Sequence, residues 1–318
     1  MSRRELDAAG ITDPALRDSY ERCRRLNAQH GKTYYLATLG LPAEKRPYVH
    51  ALYGFARYAD EIVDDLDSPL TPAQRADELI RWSDQVRRDL AAGRSAHPVV
   101  RALVDTLSRW EIDPGYIDAF LRSMRMDLTV TEYPTYDALL EYVYGSAAVI
   151  GLEMTPLLGH PGVPRAVVEP YAADLGIAFQ LANFIRDVGE DLQRGRVYLP
   201  MEDLAAFGVD RQRLARGVVD GPIRRLLAFE IARARAIFRR AEPGIRLLDP
   251  TSRDCVRTAF TLYAGILDEV ERHDYQVLTQ RVRVGLVRRA AVGVPGLLRA
   301  RHARRATRNC PRAAALSG

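Results

Sequence analysis

Two pairs of aspartates, each with a spacing of four residues, occur in segments that are otherwise strongly apolar. The second pair is Asp187 and Asp191, and it follows Gln180 and Asn183. At about 100° per residue, these four side chains fall within an arc of about 80° on a helix. One helical face would therefore carry two amides and two carboxylates. Such a stripe is either a solvated face with ordinary i,i+4 charges or, because burying polar groups is unfavourable, a functional site.

The first aspartate pair repeats this arrangement. Tyr53 and Arg57 precede Asp60 and Asp64, and all four fall within about 60° of arc on a second predicted helix. Facing pairs of carboxylates repel each other unless a cation lies between them. Magnesium suits such a site, because it binds one or two carboxylates and completes its shell with water and substrate phosphate. The two faces therefore predict a diphosphate bridged by magnesium to two acidic helices.

The composition predicts a cytoplasmic globular protein. Of the 318 residues, 47% are hydrophobic, which is enough for a substantial core. There is no apolar run long enough to cross a bilayer and no apolar secretion signal at the N-terminus. Cys23, Cys255 and Cys310 are isolated, without a CxxC pair or a histidine at metal spacing. We therefore expect reduced thiols and no zinc site.

The positive charge is concentrated at the C-terminus. Residues 281–318 contain ten arginines and no acidic residue, so the total of +5 leaves −5 for the other 280 residues. A nucleic-acid-binding protein would not divide its charge in this way, and we expect no nucleic-acid partner. We predict a main domain over residues 1–284 and a basic tail over residues 285–318. Because Gly293, Pro295 and Gly296 interrupt any long helix, a disordered tail is the default, with peripheral membrane contact as the alternative.

Prolines mark the starts of most predicted helices, and alternating strand patterns are scarce. The chain is therefore predicted to be all-α, with His30–Tyr35 as a turn. Helices are expected over 14–30, 72–92, 98–110, 114–129, 136–158, 222–248 and 252–273, with two more carrying the aspartate pairs. The small residues around Ala147 and Gly151 indicate either tight helix packing or close approach of a ligand chain.

Several blocks resemble the squalene and phytoene synthases, the head-to-head prenyl synthases. They are HGKTYY, YGFARYADEIVDD, YVYGSAAVIG, QLANFIRDVGEDLQRGRVYLP and LYAGILDEVERHDYQVLTQRVRV, in this order from His30 to Val284. The resemblance implies a single-domain isoprenoid-synthase-type helical bundle with a central prenyl channel. It also implies a magnesium-dependent condensation of two geranylgeranyl diphosphates, through prephytoene diphosphate, to phytoene in carotenoid biosynthesis. Manganese is the expected substitute ion, and no NADPH is expected.

The resemblance also implies roles for individual residues. The implied metal ligands are Asp60, Asp64, Asn183, Asp187 and Asp191. Catalytic roles fall to these four aspartates, Arg57, Tyr53 and Tyr263. The implied substrate-binding residues are His30, Thr33, Tyr34, Tyr53, Arg57, Tyr142, Ala147, Gly151, Gln180, Asn183, Arg196, Tyr263 and Arg281. The chain departs from the family where Glu61 follows Asp60 and where Tyr34 replaces a commoner phenylalanine.

Three other functions are compatible with parts of this sequence pattern. A synthase of the same fold could use farnesyl diphosphate to make presqualene diphosphate, squalene or dehydrosqualene. A head-to-tail chain elongator typically has DDxxD motifs, whereas the second motif here is RDVGED. A non-enzymatic helical scaffold would leave both acidic faces unexplained.

Overall fold

The computed structural model describes residues 2–64 and 71–308. The side chains of residues 2, 32, 33, 63, 64, 72, 286, 287, 307 and 308 lie outside this description. Over the described residues the chain is a single all-helical domain, which confirms the predicted fold class. The extended pairing found within these ranges is one isolated bridge between Glu132 and Val197.

Fifteen α-helices are present in the described ranges, together with a π-helical segment (Tyr144–Ala148) and a 3-10 segment (Glu242–Leu247). The helices are α1 Ser2–Ala8, α2 Pro14–His30, α3 Lys32–Thr38, α4 Arg46–Asp64, α5 Pro72–Ala92, α6 Pro98–Arg109, α7 Pro114–Met126, α8 Tyr136–Val143, α9 Val149–Leu158, α10 Arg165–Gln193, α11 Met201–Ala206, α12 Arg211–Ala215, α13 Gly221–Ala241, α14 Pro250–Arg272 and α15 Leu286–Arg308.

The predicted helix starts are explained by capping residues that stand directly before or near a proline. The side chains of Asp13, Asp113, Asp220 and Asp249 each accept a hydrogen bond from a backbone N–H of the first turn. Thr71 forms a reciprocal capping box with Gln74 at the start of α5. A proline in the first turn loses nothing, because its missing N–H would have had no helical partner.

The prediction that His30–Tyr35 forms a turn is wrong. Helix α2 ends at His30, and α3 begins only two residues later, at Lys32. Gly31 separates the two helices with φ of −107° and ψ of 46°. Its carbonyl oxygen already accepts a hydrogen bond from the Tyr35 N–H at 2.7 Å, so a new helical turn forms immediately after the break.

The expectation of a disordered tail is also wrong for residues 286–308. Helix α15 continues through Gly293 and Pro295, and it packs along α14. Gly296 is buried so closely against Thr258 that an added Cβ atom would lie 2.2 Å from the threonine hydroxyl oxygen. Ala300 is buried one turn further on. This packing compensates for the weak helix propensity of glycine and proline.

Ion pairs join α15 to α14 at both ends. Arg288 contacts Asp268 and Glu269 at 2.7 and 3.1 Å, and Arg299 contacts Asp254 at 2.9 Å. The division into a domain over residues 1–284 and a tail over residues 285–318 stays a prediction. The start of α15 is part of the packed body of the protein.

The buried side chains form two large clusters. One is built mainly from α2, α4, α6 and α7, and the other mainly from α8, α10, α13 and α14. Helix α10 contacts α9, α13 and α14, so it runs through the middle of the bundle. A cavity lies between the two clusters and takes its lining from both.

Candidate active site

The cavity between the two clusters has a volume of about 550 Å³ and carries acidic residues from two helices. Asp60 lines it from α4, and Asp187 and Asp191 line it from α10. Most of the remaining lining is apolar and includes Leu52, Ile150 and Leu248. The arrangement suits an elongated molecule with an apolar chain and an anionic head that a cation neutralises.

The polar stripe on α10 faces this cavity as one surface. Gln180, Asn183, Asp187 and Asp191 all line it. Burial, together with the neighbouring charge of Asp187, raises the pKa of Asp191 to about 7, although Arg194 and Arg196 oppose the shift. Desolvation therefore favours the protonated form of Asp191 more than it would at the surface.

Asp187 is clamped by two arginines. Its neighbour Arg186 donates from Nε to Oδ1 at 2.7 Å and from a terminal nitrogen to Oδ2. Arg281 lies 3.0 Å from both carboxylate oxygens and 3.2 Å from Glu190. These two arginines therefore fix the orientation of the Asp187 carboxylate.

Gly189 explains how Arg281 reaches this position. The chain that follows α14 crosses α10 so closely that a Cβ atom on Gly189 would lie 2.3 Å from the carbonyl oxygen of Leu278. The Gly189 N–H also donates to the carbonyl oxygen of Val277 at 3.1 Å. A glycine between the two aspartates thus admits the segment that carries Arg281.

The first acidic face is only partly described. Asp60 lines the cavity, whereas the side chain of Asp64 lies outside the described residues, as does that of Thr33. Arg57 was expected to hold Asp60 and phosphate, but its Nε donates to Glu61 at 3.2 Å, and it lines neither this cavity nor the second pocket beside it. Arg57 and Glu61 are one turn apart on α4, and this i,i+4 spacing makes their ion pair favourable.

A second pocket of about 480 Å³ is rich in arginine and lies beside the first. It is lined by His30, Arg186, Tyr263, Arg281, Arg283 and Arg289, among others, and none of its lining residues in the described part of the chain is acidic. We call it the arginine pocket. It shares Tyr34, Tyr53 and Arg186 with the main cavity. Such a concentration of guanidinium groups suits a phosphate or diphosphate.

Asp127 is a site residue that the sequence reasoning missed. It lines the main cavity, and its carboxylate accepts hydrogen bonds from the hydroxyls of Tyr142 at 2.8 Å and Tyr198 at 3.0 Å. Arg196 donates to its backbone carbonyl at 2.9 Å. No spacing in the sequence singles out this aspartate, because its partners lie 15 and 71 residues away.

The aromatic side chains near Asp127 form a stack. Phe184 lies parallel to Tyr198 with ring centroids 4.2 Å apart, and Tyr142 stacks on Tyr198 at 5.6 Å. The faces of such rings are electron-rich and attract positive charge. This wall of the cavity therefore suits a cationic intermediate.

The small residues of the π-helical segment and α9 serve mainly in helix packing. An added Cβ atom on Gly151 would lie 2.1 Å from the carbonyl oxygen of Ala172, and one on Gly176 would lie 2.3 Å from that of Ala147. Ala147 and Gly151 also line the cavity. The two interpretations of these residues are thus compatible, since close packing of the backbones shapes this part of the cavity wall.

Tyr34 and Tyr263 meet where the two cavities adjoin. The hydroxyl of Tyr263 donates a hydrogen bond to that of Tyr34, and their ring centroids are 6.1 Å apart. Tyr263 is held from α10 by stacking on Phe179 at 4.1 Å. The surroundings of both hydroxyls raise the pKa of each phenol, chiefly through desolvation, so both are neutral near pH 7.

Residues 27–288 match the squalene/phytoene synthase family, and the chain belongs to this family. The match confirms the resemblance found in the sequence. Among its relatives, the phytoene synthase of Arthrospira platensis is 42% identical over 282 residues, covering 85% of this chain and 90% of the relative. The 15-cis-phytoene synthase of Synechocystis is 40% identical, covering 85% of this chain and 82% of the relative.

Solved structures of similar proteins share the fold. A dehydrosqualene synthase in complex with ligand aligns with a TM-score of 0.80 at 26% identity, over 88% of this chain and 96% of that one. A squalene synthase from Alicyclobacillus acidocaldarius aligns with a TM-score of 0.76 at 26% identity, over 84% of this chain and 98% of that one. Within the described residues, no helix is both long and apolar enough to cross a membrane.

Proposed function

We propose that the protein joins two molecules of geranylgeranyl diphosphate head to head, through prephytoene diphosphate, to give phytoene. The enzyme is a prenyltransferase of carotenoid biosynthesis. The observation that carries this proposal is the single cavity that combines acidic helix faces with a long apolar lining and adjoins the arginine pocket. The phytoene synthases that are about 40% identical over most of the chain support the same reaction.

The residues of the acidic faces fit magnesium. Asp60, Asn183, Asp187 and Asp191 supply oxygen donors to one cavity, and Asp64 is the further ligand expected from the sequence. Among the described side chains, no three histidine, cysteine or acidic groups converge tightly enough to hold an ion by themselves. Magnesium does not need such a cluster, because it retains water and binds substrate phosphate. When bound, the ion would offset the charge of a departing diphosphate, and manganese is the expected substitute.

The two halves of the site suit the two diphosphates of the reaction. The first step breaks the C–O bond of one donor, and the electron pair leaves with its diphosphate. The second donor keeps its own diphosphate in the cyclopropyl intermediate, with loss of one proton from carbon. We assign the departing group to the acidic faces and the retained group to the arginine pocket, where guanidinium groups bind phosphate.

The intermediate must ionise again before phytoene forms. Its C–O bond breaks, the cation rearranges, and loss of a proton to the released diphosphate leaves the central double bond. Tyr142, Tyr198 and Phe184 place their rings along the cavity, where they would stabilise this positive charge. Asp127 orients both phenols by accepting their hydrogen bonds.

The test is to incubate the purified protein and magnesium with labelled geranylgeranyl diphosphate or with labelled farnesyl diphosphate. We expect phytoene from the twenty-carbon donor. Turnover of farnesyl diphosphate alone would instead establish the squalene or dehydrosqualene type of reaction. A product that joins the two chains head to tail would contradict the proposed reaction class.

We further propose that the protein works at an anionic membrane surface through α15, since phytoene is insoluble in water. This helix contains no acidic residue, and Arg301 and Arg305 are exposed on it without an ion pair in the described part of the chain. Val294 and Leu298 expose 54% and 58% of their surface beside them. Each basic side chain near an anionic bilayer contributes about 1 kcal/mol. Location in the cytoplasm stays a prediction.

A further inference from the structure

The turn that follows α10 brings two arginines to the main cavity. Arg194 and Arg196 both line this cavity, and Gly195 stands between them. The Gly195 N–H donates to the carbonyl oxygen of Leu192 at 3.0 Å, and Gly195 has a φ of +78°, which glycine adopts without strain. The Arg196 N–H donates to the carbonyl oxygen of Asp191 at 2.8 Å. The direction of both arginine side chains therefore depends on how the backbone of this turn is held.

Arg211 holds the turn from outside the cavity. It is the first residue of α12, it lines neither of the two pockets, and its side chain is 41% exposed. Its Nη2 atom donates to the carbonyl oxygen of Gly195 at 2.7 Å, and its Nη1 atom lies 3.9 Å from the Glu132 carboxylate. Glu132 forms the isolated bridge with Val197. One guanidinium group thus contacts both the turn and the segment paired beside it.

The peptide group between Gly195 and Arg196 is held at both ends. Its carbonyl oxygen and its N–H belong to one rigid plane and point in opposite directions. Arg211 donates to the oxygen, and the carbonyl of Asp191 accepts from the N–H. Because glycine gives the backbone unusual freedom, loss of the Arg211 bond would let this plane rotate. Such a rotation would move the Arg196 side chain away from the carbonyl oxygen of Asp127, to which it donates at 2.9 Å.

We propose that Arg211 is a positioning residue for the reaction, because it fixes the turn that directs Arg194 and Arg196 into the main cavity. This inference rests on the proposed function, in which the departing diphosphate binds at the acidic faces of that cavity. As the C–O bond breaks, negative charge grows on the leaving group, and correctly placed guanidinium groups stabilise it most at that stage. Arg211 itself contacts no substrate and transfers no proton.

Arg213 supplies a matched control. It lies two positions further along α12, its side chain is 34% exposed, and it also donates to a glycine carbonyl, that of Gly208 at 3.1 Å. Gly208 has a φ of +67°, but its turn lines neither pocket. Arg213 also pairs with Asp220 at 2.7 Å. Arg211→Ala and Arg213→Ala therefore remove the same kind of contact from two turns, of which only the first enters the cavity.

The first experiment measures amide hydrogen exchange in residues 190–200 of the metal-free protein. Arg211→Ala should speed exchange of the Gly195 and Arg196 amides about fivefold, because local opening governs their exchange, and Arg213→Ala should leave it unchanged. Arg211→Lys keeps the charge and one donor, so it should restore most of the protection. Unchanged exchange in Arg211→Ala would overturn the inference, as would equal acceleration in both alanine variants.

The second experiment measures the single-turnover rate constant for cleavage of the C–O bond of geranylgeranyl diphosphate with magnesium and excess enzyme. This constant does not depend on the fraction of the enzyme that is folded. Arg211→Ala should lower it about fivefold, while the enzyme concentration that gives half the maximal rate changes by less than about twofold. Arg211→Lys should recover most of the rate, and Arg213→Ala should match the wild type. An equal rate constant in the two alanine variants would contradict the positioning role.

Binding of magnesium pyrophosphate separates this inference from the proposed reaction. Free pyrophosphate carries the charge of the departing group, so calorimetry should show a Kd about fivefold higher for Arg211→Ala and an unchanged Kd for Arg213→Ala. If the wild type makes no phytoene while this difference persists, the proposed reaction fails and the role of Arg211 stands. If the wild type makes phytoene and Arg211→Ala binds and reacts as the wild type does, the role of Arg211 alone fails.

Discussion

Arg281 contacts both carboxylate oxygens of Asp187 at 3.0 Å, although the two residues are 94 positions apart in the chain. The pair joins the segment after α14 to the acidic face of α10. The guanidinium group of Arg281 therefore orients Asp187, the aspartate that is expected to bind magnesium.

Replacing Asp187 with asparagine should lower turnover at least about 100-fold, because an ion ligand that stabilises the departing charge is lost. The amide keeps the shape but leaves one acceptor oxygen for the donors of Arg186 and Arg281, so the melting temperature should also fall, and turnover is compared at a temperature at which both proteins are folded. Asp84→Asn is the control, since Asp84 also pairs with an arginine but lies on the surface. Near-normal turnover by the Asp187 variant would remove this residue from the proposed ligand set.

Asp127→Ala should reduce both stability and activity. The hydroxyls of Tyr142 and Tyr198 would lose their shared acceptor in a buried setting, and each unsatisfied group destabilises by about 1–3 kcal/mol. Urea denaturation should therefore show a loss of about 2–4 kcal/mol. Asp18→Ala, at an exposed position on α2, should stay close to the wild type. If the two variants unfold at the same urea concentration, Asp127 does not hold the phenols as we describe.

Removing divalent ions should abolish turnover without unfolding the protein, because the described acidic residues serve the cavity rather than the two apolar clusters. Dialysis against EDTA followed by addition of magnesium or manganese should restore phytoene formation. Circular dichroism during the same cycle should stay constant. Full turnover after complete chelation would rule out the proposed metal requirement.

Glu153 should make stability depend on pH. It is 2% exposed, one of its oxygens lacks a hydrogen-bond partner among the described residues, and burial raises its pKa from 4.5 to about 8. The folded state therefore holds a proton that the unfolded state releases above pH 4.5. The contribution of protonated Glu153 to the free energy of unfolding is fully present below pH 4.5. It is lost as the pH rises towards 8, by about 1.4 kcal/mol per pH unit.

The measurement is urea denaturation of the wild type and Glu153→Gln between pH 5 and pH 8. The glutamine does not titrate, so its stability relative to the wild type should increase steadily over this range. At pH 7 the wild type carries a penalty of about 3 kcal/mol from this group. Glu141→Gln, at an exposed position on α8, should show a constant difference. A constant difference for Glu153→Gln as well would mean that this carboxyl is not protonated in the fold.

Replacing Arg301 and Arg305 with glutamine should weaken binding to anionic liposomes while leaving α15 docked, because neither side chain forms an ion pair in the described structure. Sedimentation at low salt measures the bound fraction. The control replaces two exposed arginines outside α15, Arg94→Gln and Arg239→Gln, and so changes net charge equally. Equal sedimentation of both double variants would contradict a membrane surface on α15.

The periodicity of the sequence was sufficient to predict the helices that carry the acidic residues. Local sequence patterns determine where these helices lie. A four-residue spacing places side chains on one helical face, and an N-cap residue followed by proline marks the start of a helix. The course of α15 was not predictable in this way. Gly293 and Pro295 are poor helix formers locally, and the helix persists because it packs and pairs with α14.

The same distinction applies to the site. Asp187 and Asp191 were recognisable because they lie one turn apart, whereas Asp127 draws its significance from two tyrosines that only the fold brings to it. Arg57 could have paired with Asp60 or with Glu61, and their spacing in the sequence does not show that it pairs with Glu61. The position of Arg281 depended on Gly189, whose lack of a side chain matters only once the crossing segment is known.

The close contacts at Gly151 and Gly176 mean that the positions lining the cavity differ in how well they tolerate substitution. Where α9 and the π-helical segment touch α10, even a methyl group would collide with the main chain, so that wall of the cavity is closed to gradual substitution. Val49 and Leu52 border the same cavity with ordinary side chains from α4. Mutations that lengthen or shorten the product should therefore be tolerated at positions such as Val49 and Leu52 and not at the two glycines.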